Sequence, residues 1–214
     1  MLARCAAAED AAIDQGAVVT SVIDYGAGNL RSVENALDAI GATHELIRDA
    51  AGVRAAEKII LPGVGHFGQM MRALDQLDLR GAIVERIAAG VPFFGICLGL
   101  QALFESSEEA PDQKGFGILP GIVKRFAEGQ RVPHMGWNQL CRHGESRLLA
   151  GLDETPFLYF ANSFFAPADA ASAICQYGVE FAAVIEHDNI SAVQFHPEKS
   201  GVAGLQIVRN FVCS

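Results

Sequence analysis

The chain has 214 residues, 50% hydrophobic and 19% charged, which suits one well-filled α/β core and argues against a disordered chain. A formal net charge of −9 sets an acidic surface against phosphate backbones, so no nucleic acid is expected as a partner. No apolar run approaches the ~20 residues that a bilayer span requires, so no membrane association is expected either.

Residues 1–16 are Ala-rich but carry Arg4, Glu9, Asp10 and Asp14, which interrupt any signal-peptide core. They read as an N-terminal extension without an export signal, followed by one domain over 17–214. The strand Val18 to Asp24 leads into the glycine-rich turn Tyr25-Gly26-Ala27-Gly28-Asn29. A helix follows, with Leu30, Val33, Leu37 and Ile40 at helical spacing and Gly41 as its stop. His44 to Arg48 and Lys58 to Leu61 read as further strands, the second ending at Pro62-Gly63-Val64-Gly65. Residues 67–89 read as helix in two pieces broken near Asp78. Val91 to Ile96 is a continuous apolar run, as in a strand buried on both faces, and 98–106 read as a helix leaving Cys97. This alternation predicts a largely parallel sheet covered by helices. Later strands are shorter: Gly121 to Phe126, Pro156 to Ala161, Ala173 to Tyr177, Ala182 to His187 and Ile190 to Phe195. A helix from about Val202 to Cys213 closes the chain.

The five cysteines, Cys5, Cys97, Cys141, Cys175 and Cys213, lie far apart and form no CxxC pair. The odd count suits a reducing cytoplasm, and no metal or other cofactor is expected. Cys97 differs from the others by its setting, Gly95-Ile96-Cys97-Leu98-Gly99 between an apolar strand and a helix. Glycines permit a sharp turn that presents a nucleophile at a helix start, where backbone N–H groups favour a thiolate. The Leu98 N–H then points toward an oxyanion forming on the attacked carbonyl. The bland alternative is a buried cysteine between two packing glycines.

His196-Pro197-Glu198 follows the last strand. Residues two apart in extended chain project to one side, so Glu198 can fix the tautomer of His196, leaving it as base and acid for Cys97. A solvated turn is the competing reading of these three residues alone. His44, His66, His134, His143 and His187 lack a carboxylate at comparable spacing in an apolar strand, apart from His187-Asp188, which reads as a hairpin turn.

Gly95 to Gln101 together with His196-Pro197-Glu198 resembles the class I glutamine amidotransferases. Asp24 to Leu30, Pro62 to Gly65, Pro133-His134-Met135-Gly136-Trp137-Asn138 and His196 to Ser200 occur in order and narrow the likeness. Together they are similar to the glutaminase subunits of imidazole glycerol phosphate synthases, from about residue 18 onward. The resemblance implies a three-layer α/β/α fold, flavodoxin-like, with a mixed, largely parallel central sheet. It implies glutamine as substrate, hydrolysed to glutamate and ammonia by a Cys97, His196 and Glu198 triad, with ammonia passed to a TIM-barrel cyclase subunit in histidine biosynthesis. Gly63, Gly65, Leu98, Gln101, Ser163 and Phe164 would then bind the substrate. Asn29, Trp137, Tyr159 and Lys199 would lie at the partner interface. Asn162-Ser163-Phe164 departs from the family's usual His-Ser-Tyr, so an imidazole contribution at position 162 is lost. The alternatives are a paralogous glutaminase subunit feeding another synthase, a stand-alone γ-glutamyl cysteine hydrolase, and a non-catalytic binding subunit.

Overall fold

The strand β1, Thr20–Ile23, sets the architecture, because its alternate residues enter two different cores. The computed structural model describes residues 18–214, so the expected extension over 1–16 lies outside the described residues. After β1 come α1 (Leu30–Ala39), β2 (His44–Ile47), α2 (Ala50–Ala55), β3 (Ile59–Gly63), α3 (Phe67–Gln76) and α4 (Leu79–Ala88). The nucleophile region holds β4 (Phe93–Cys97), α5 (Leu98–Gln101) and β5 (Phe104–Ser107). The second half holds β6 (Leu119–Arg125), β7 (His134–Gln139), β8 (Cys141–Arg142), β9 (Phe157–Asn162) and β10 (Phe164–Phe165). It ends with β11 (Ala173–Gln176), β12 (Glu180–His187), β13 (Ile190–Val193) and α6 (Gly201–Val212).

The main sheet runs β2-β1-β3-β4-β13-β12-β11-β8. Its first five strands are parallel, and β12, β11 and β8 add antiparallel neighbours. Ile23, Ile59, Leu61 and Phe93 pack on one face with Val53, Met70, Leu74 and Ile83 from α2, α3 and α4. Val22, Ile60, Phe94 and Ile96 pack on the other with Leu37 of α1 and Ile207 and Phe211 of α6. The result is the expected α/β/α arrangement, with a mixed, mostly parallel sheet. Smaller sheets, β10-β6-β5 and β7-β9, sit beside it.

The helical stretch after residue 66 breaks where expected, at Asp78, which adopts φ 56° between α3 and α4. Other expectations are corrected. The helix expected over 98–106 ends at Gln101, and the chain enters β5, which pairs in parallel with β6. The carbonyls of Ala102, Leu103 and Phe104 accept N–H groups from Phe116 to Leu119, so the segment leading into β6 supplies the bonds that a longer helix would have made. The sequence reading also missed α2, started by the Asp49 side chain accepting from the Gly52 N–H at 2.8 Å, and the strand β7.

Candidate active site

Cys97 ends β4 with φ 55° and ψ −103°. A residue other than glycine held there carries strain of roughly 1–3 kcal/mol, tolerated only where the surroundings over-determine it. They do so by close approach of backbones. A Cβ added at Gly95 would stand 2.6 Å from the Gly99 carbonyl oxygen, and one added at Gly99 would strike the Leu61 carbonyl. The sequence Gly-x-Cys-x-Gly therefore lets β3, β4 and α5 meet closely enough to force the elbow. The sulfur-bearing residue is 5% exposed and lines a cavity of about 230 Å³. Because α5 is a single turn, its macrodipole is small, and polarisation at Cys97 rests on local N–H groups instead.

His196 arrives on the segment leaving β13, the neighbour of β4 in the sheet, with Val193 opposite Ile96. Its backbone N–H donates to the Tyr159 carbonyl at 2.8 Å. The residues after it form a 3₁₀ turn, Pro197–Lys199, rather than extended chain. The two-residue spacing still brings the Glu198 Oε1 to 2.9 Å from His196 Nδ1, with both side chains 3% exposed. A proton on Nδ1 donated to that carboxylate leaves Nε2 for the sulfur. Burial pulls the His196 pKa down, but hydrogen bonding to Cys97 and Glu198, and their charges, push it up to about 10. Ser200 rivets the turn: its hydroxyl donates to the His196 carbonyl at 2.6 Å and accepts from the Tyr159 N–H at 3.0 Å.

The structure gathers Gly65, Leu98, Gln101, Ser163 and Lys199 on the cavity wall with Cys97 and His196. Gly63 lies opposite Cys97 in the β3–β4 register and packs against Leu98 rather than lining the cavity. The Phe164 carbonyl faces inward and accepts from Gln101 Nε2 at 3.0 Å and Asn162 Nδ2 at 2.9 Å. Phe164 itself is not on the cavity wall. Three positions not singled out from the sequence stand beside the sulfur or the cavity. Gln194 Nε2 is 3.5 Å from Cys97 Sγ. Glu109 lines the cavity, with its Oε2 accepting from the Phe67 N–H at 2.7 Å. Tyr25 is buried, and its hydroxyl makes no hydrogen bond of good geometry. Burial pushes its pKa up to about 12, the nearby Val64 backbone opposing that rise. Glu109 follows β5 and Gln194 follows β13, so only the tertiary fold shows that they meet here.

None of the competing histidines lines the cavity. His134 is buried and stacked on Tyr177 and Phe160, with ring centroids 3.9 and 4.9 Å away. His66 starts α3, its Nδ1 accepting from the Gly68 N–H at 3.1 Å, and His187 is exposed beside Asp188.

Of the interface candidates, Trp137 on β7 is 55% exposed and meets Tyr159 of β9 edge to face, opposite it in register. Met135 and Phe157, 65% and 55% exposed, extend the same face of this ribbon. Lys199 is exposed at the cavity, and Asn29 is half-buried at the start of α1.

The elbow cysteine, its buried His–Glu pair and the mixed sheet that presents them define a class of enzyme. The Glutamine amidotransferase class-I family matches residues 21–214, and the chain belongs to it. At 49% identity the chain is similar to the imidazole glycerol phosphate synthase subunit HisH of Methanothermobacter thermautotrophicus, over 90% of this chain and 96% of that one. The subunit HisH of Deinococcus radiodurans is 43% identical, over 89% and 91%. Among solved structures, a glutamine amidotransferase aligns with TM-score 0.70 at 20% identity, covering 91% of this chain and 96% of that one. PurLQS from Thermotoga maritima aligns with TM-score 0.71 at 18% identity, covering 92% and 98%. These two likenesses concern the fold alone. Among the described residues no helix is long and apolar enough to cross a membrane.

Proposed function

We propose that the chain is the glutaminase subunit of an imidazole glycerol phosphate synthase, working in the cytoplasm, with its catalytic domain over 17–214. The observation that carries the reading is the elbow cysteine beside a histidine that is itself held by a buried carboxylate at 2.9 Å. The Cys97 thiolate attacks the side-chain amide of glutamine, forming a C–S bond. The developing oxyanion is met by the Leu98 N–H and by an N–H of the Gly63–Gly65 segment. His196 gives its proton to the departing nitrogen as the C–N bond breaks, releasing ammonia. Water then attacks the thioester, His196 takes a proton from it, and the C–S bond breaks to give glutamate and restore the thiolate. Glu198 holds the imidazole in the working tautomer and stabilises its charge. Gln101, Ser163, the Phe164 main chain and the Glu109 carboxylate hold the amino-acid end of the substrate, Glu109 as partner for its ammonium group.

Ammonia passes to a TIM-barrel cyclase subunit that docks on the face carrying Trp137, Tyr159, Lys199 and Asn29. The high identity to HisH subunits supports this pairing. The test is a glutaminase assay of the chain alone and with the candidate cyclase, using the wild type and Cys97→Ala. The expected result is low activity alone, a large rise with the cyclase and its ligand, and loss of glutamine-dependent turnover in Cys97→Ala. Undiminished turnover in that variant sinks the nucleophile. Strong partner-independent hydrolysis by the wild type points to a stand-alone hydrolase.

A further inference from the structure

We infer that Gln194 is a further catalytic residue, whose side-chain amide donates to the Cys97 sulfur and favours its anionic form. The inference rests on Cys97 being the nucleophile. Gln194 is 0% exposed, and its Nε2 lies 3.5 Å from Cys97 Sγ. Which end of an amide faces which neighbour is normally ambiguous, but here a chain of hydrogen bonds decides it. The Phe164 carbonyl can only accept, so the Gln101 nitrogen must face it, at 3.0 Å. That same nitrogen lies 3.0 Å from the Gln194 oxygen. Turning Gln194 over would set its nitrogen against the Gln101 nitrogen and its oxygen against the sulfur. The donor end of Gln194 is therefore the end at Cys97.

Gln101 is 2% exposed and Asn162 4%, so little water competes inside this network. An N–H aimed at sulfur bonds a thiolate far better than a thiol, because hydrogen bonds to charged acceptors are the stronger ones. The same network reaches the substrate side of the cavity. Asn162 Nδ2 shares the Phe164 carbonyl with Gln101, at 2.9 Å. Position 194 thus ties the nucleophile to the main chain of the segment proposed to hold glutamine. The other titratable groups around the sulfur are His196 from the segment after β13 and Tyr25 from the turn after β1, with Glu109 and Lys199 on the cavity wall.

The experiment compares the full-length wild type with Gln194→Met and Gln194→Leu. Iodoacetamide labelling of Cys97, resolved from the other cysteines by peptide mass spectrometry, is followed as a function of pH. Both variants remove the donor. Neither adds a charge beside the sulfur, and the smaller leucine carries the test if the methionine variant does not fold. Each variant should label about tenfold more slowly near neutral pH, with the profile displaced to higher pH and the wild-type rate recovered at its alkaline end. An undisplaced profile overturns the role of Gln194, whether the rate is unchanged or lowered equally at every pH. Slow labelling of Cys97 in the wild type, by contrast, indicts the nucleophile reading itself.

Discussion

His196 keeps its proton because the sulfur and carboxylate on either side outweigh the cost of burying an imidazolium. That balance has a thermodynamic sign. A pKa of about 10 in the folded state, against 6.5 for the free side chain, means that the native protein binds the proton more tightly. Below about pH 6.5 both states carry it and its stabilisation is complete; above that the unfolded chain loses it first, and stability falls until the folded group titrates near 10. Denaturant titrations at increasing alkalinity should show this loss in the wild type and a flatter profile in His196→Asn. His134 works in the opposite sense, because burial alone holds its pKa down to about 4. Stability should therefore also decline as pH falls from about 6.5 toward 4, and His134→Gln should blunt that limb of the same profile. The two histidines differ in a way the sequence displayed only in part. Glu198, two residues from His196, is visible by inspection. The aromatic stack around His134 is assembled from β9 and the neighbourhood of β11 and β12, and no local pattern announces it. The same holds for Gln194, whose partners Cys97 and Gln101 are 97 and 93 positions away.

Elements were legible where burial dictated their pattern and illegible where neighbours overrode local preference. The apolar run of β4 and the helical spacing in α1 follow from facing the two cores. Residues 102–106, with Leu103 and Phe104 among them, have adequate helix propensity, yet pairing with β6 draws them into a strand. The strand β7 carries Pro133 at its entry and Gly136 within it, residues that mask a strand pattern, although the ribbon with β9 runs through from His134 to Gln139. Lys58, whose side chain was read only as the start of a strand, anchors α6. Its Nζ donates to the carbonyls of Phe211, Val212 and Ser214 at 3.2, 2.6 and 2.9 Å, and stands 5.4 Å from the Phe211 ring centre. A cation buried against the end of a helix adds to the bonds of its last carbonyls, the Phe211 oxygen also accepting from the Ser214 backbone N–H and hydroxyl. Lys58→Met should cost about 2 kcal/mol, seen as a lowered urea midpoint with an unchanged slope. An unaltered midpoint would show that water replaces the ammonium at no cost.

Across the whole molecule, the five parallel strands support the reaction and the β7–β9 ribbon offers its exposed apolar face beside the cavity. Exposed Met135, Trp137 and Phe157 on a protein of net charge −9 form the kind of contiguous patch that partners cover. With the proposed cyclase, Trp137→Ala should weaken association by about 2 kcal/mol, roughly thirtyfold in Kd, as titration calorimetry reads it. The melting temperature of the isolated chain should barely move, since that side chain is more than half exposed. One feature of the sheet also bears on how the chain is made. The strand β13 lies between β4 and β12, yet its residues, 190 to 193, are translated nearly a hundred positions after β4. A nascent chain halted before that point holds two separate half-sheets, each with an apolar edge that has nothing to pair with. Such a chain also lacks His196, which follows the same strand. Synthesis of β13 and the residues just after it thus closes an aggregation-prone gap and completes the Cys97–His196–Glu198 arrangement together, so products truncated before residue 190 should be both inert and prone to aggregate.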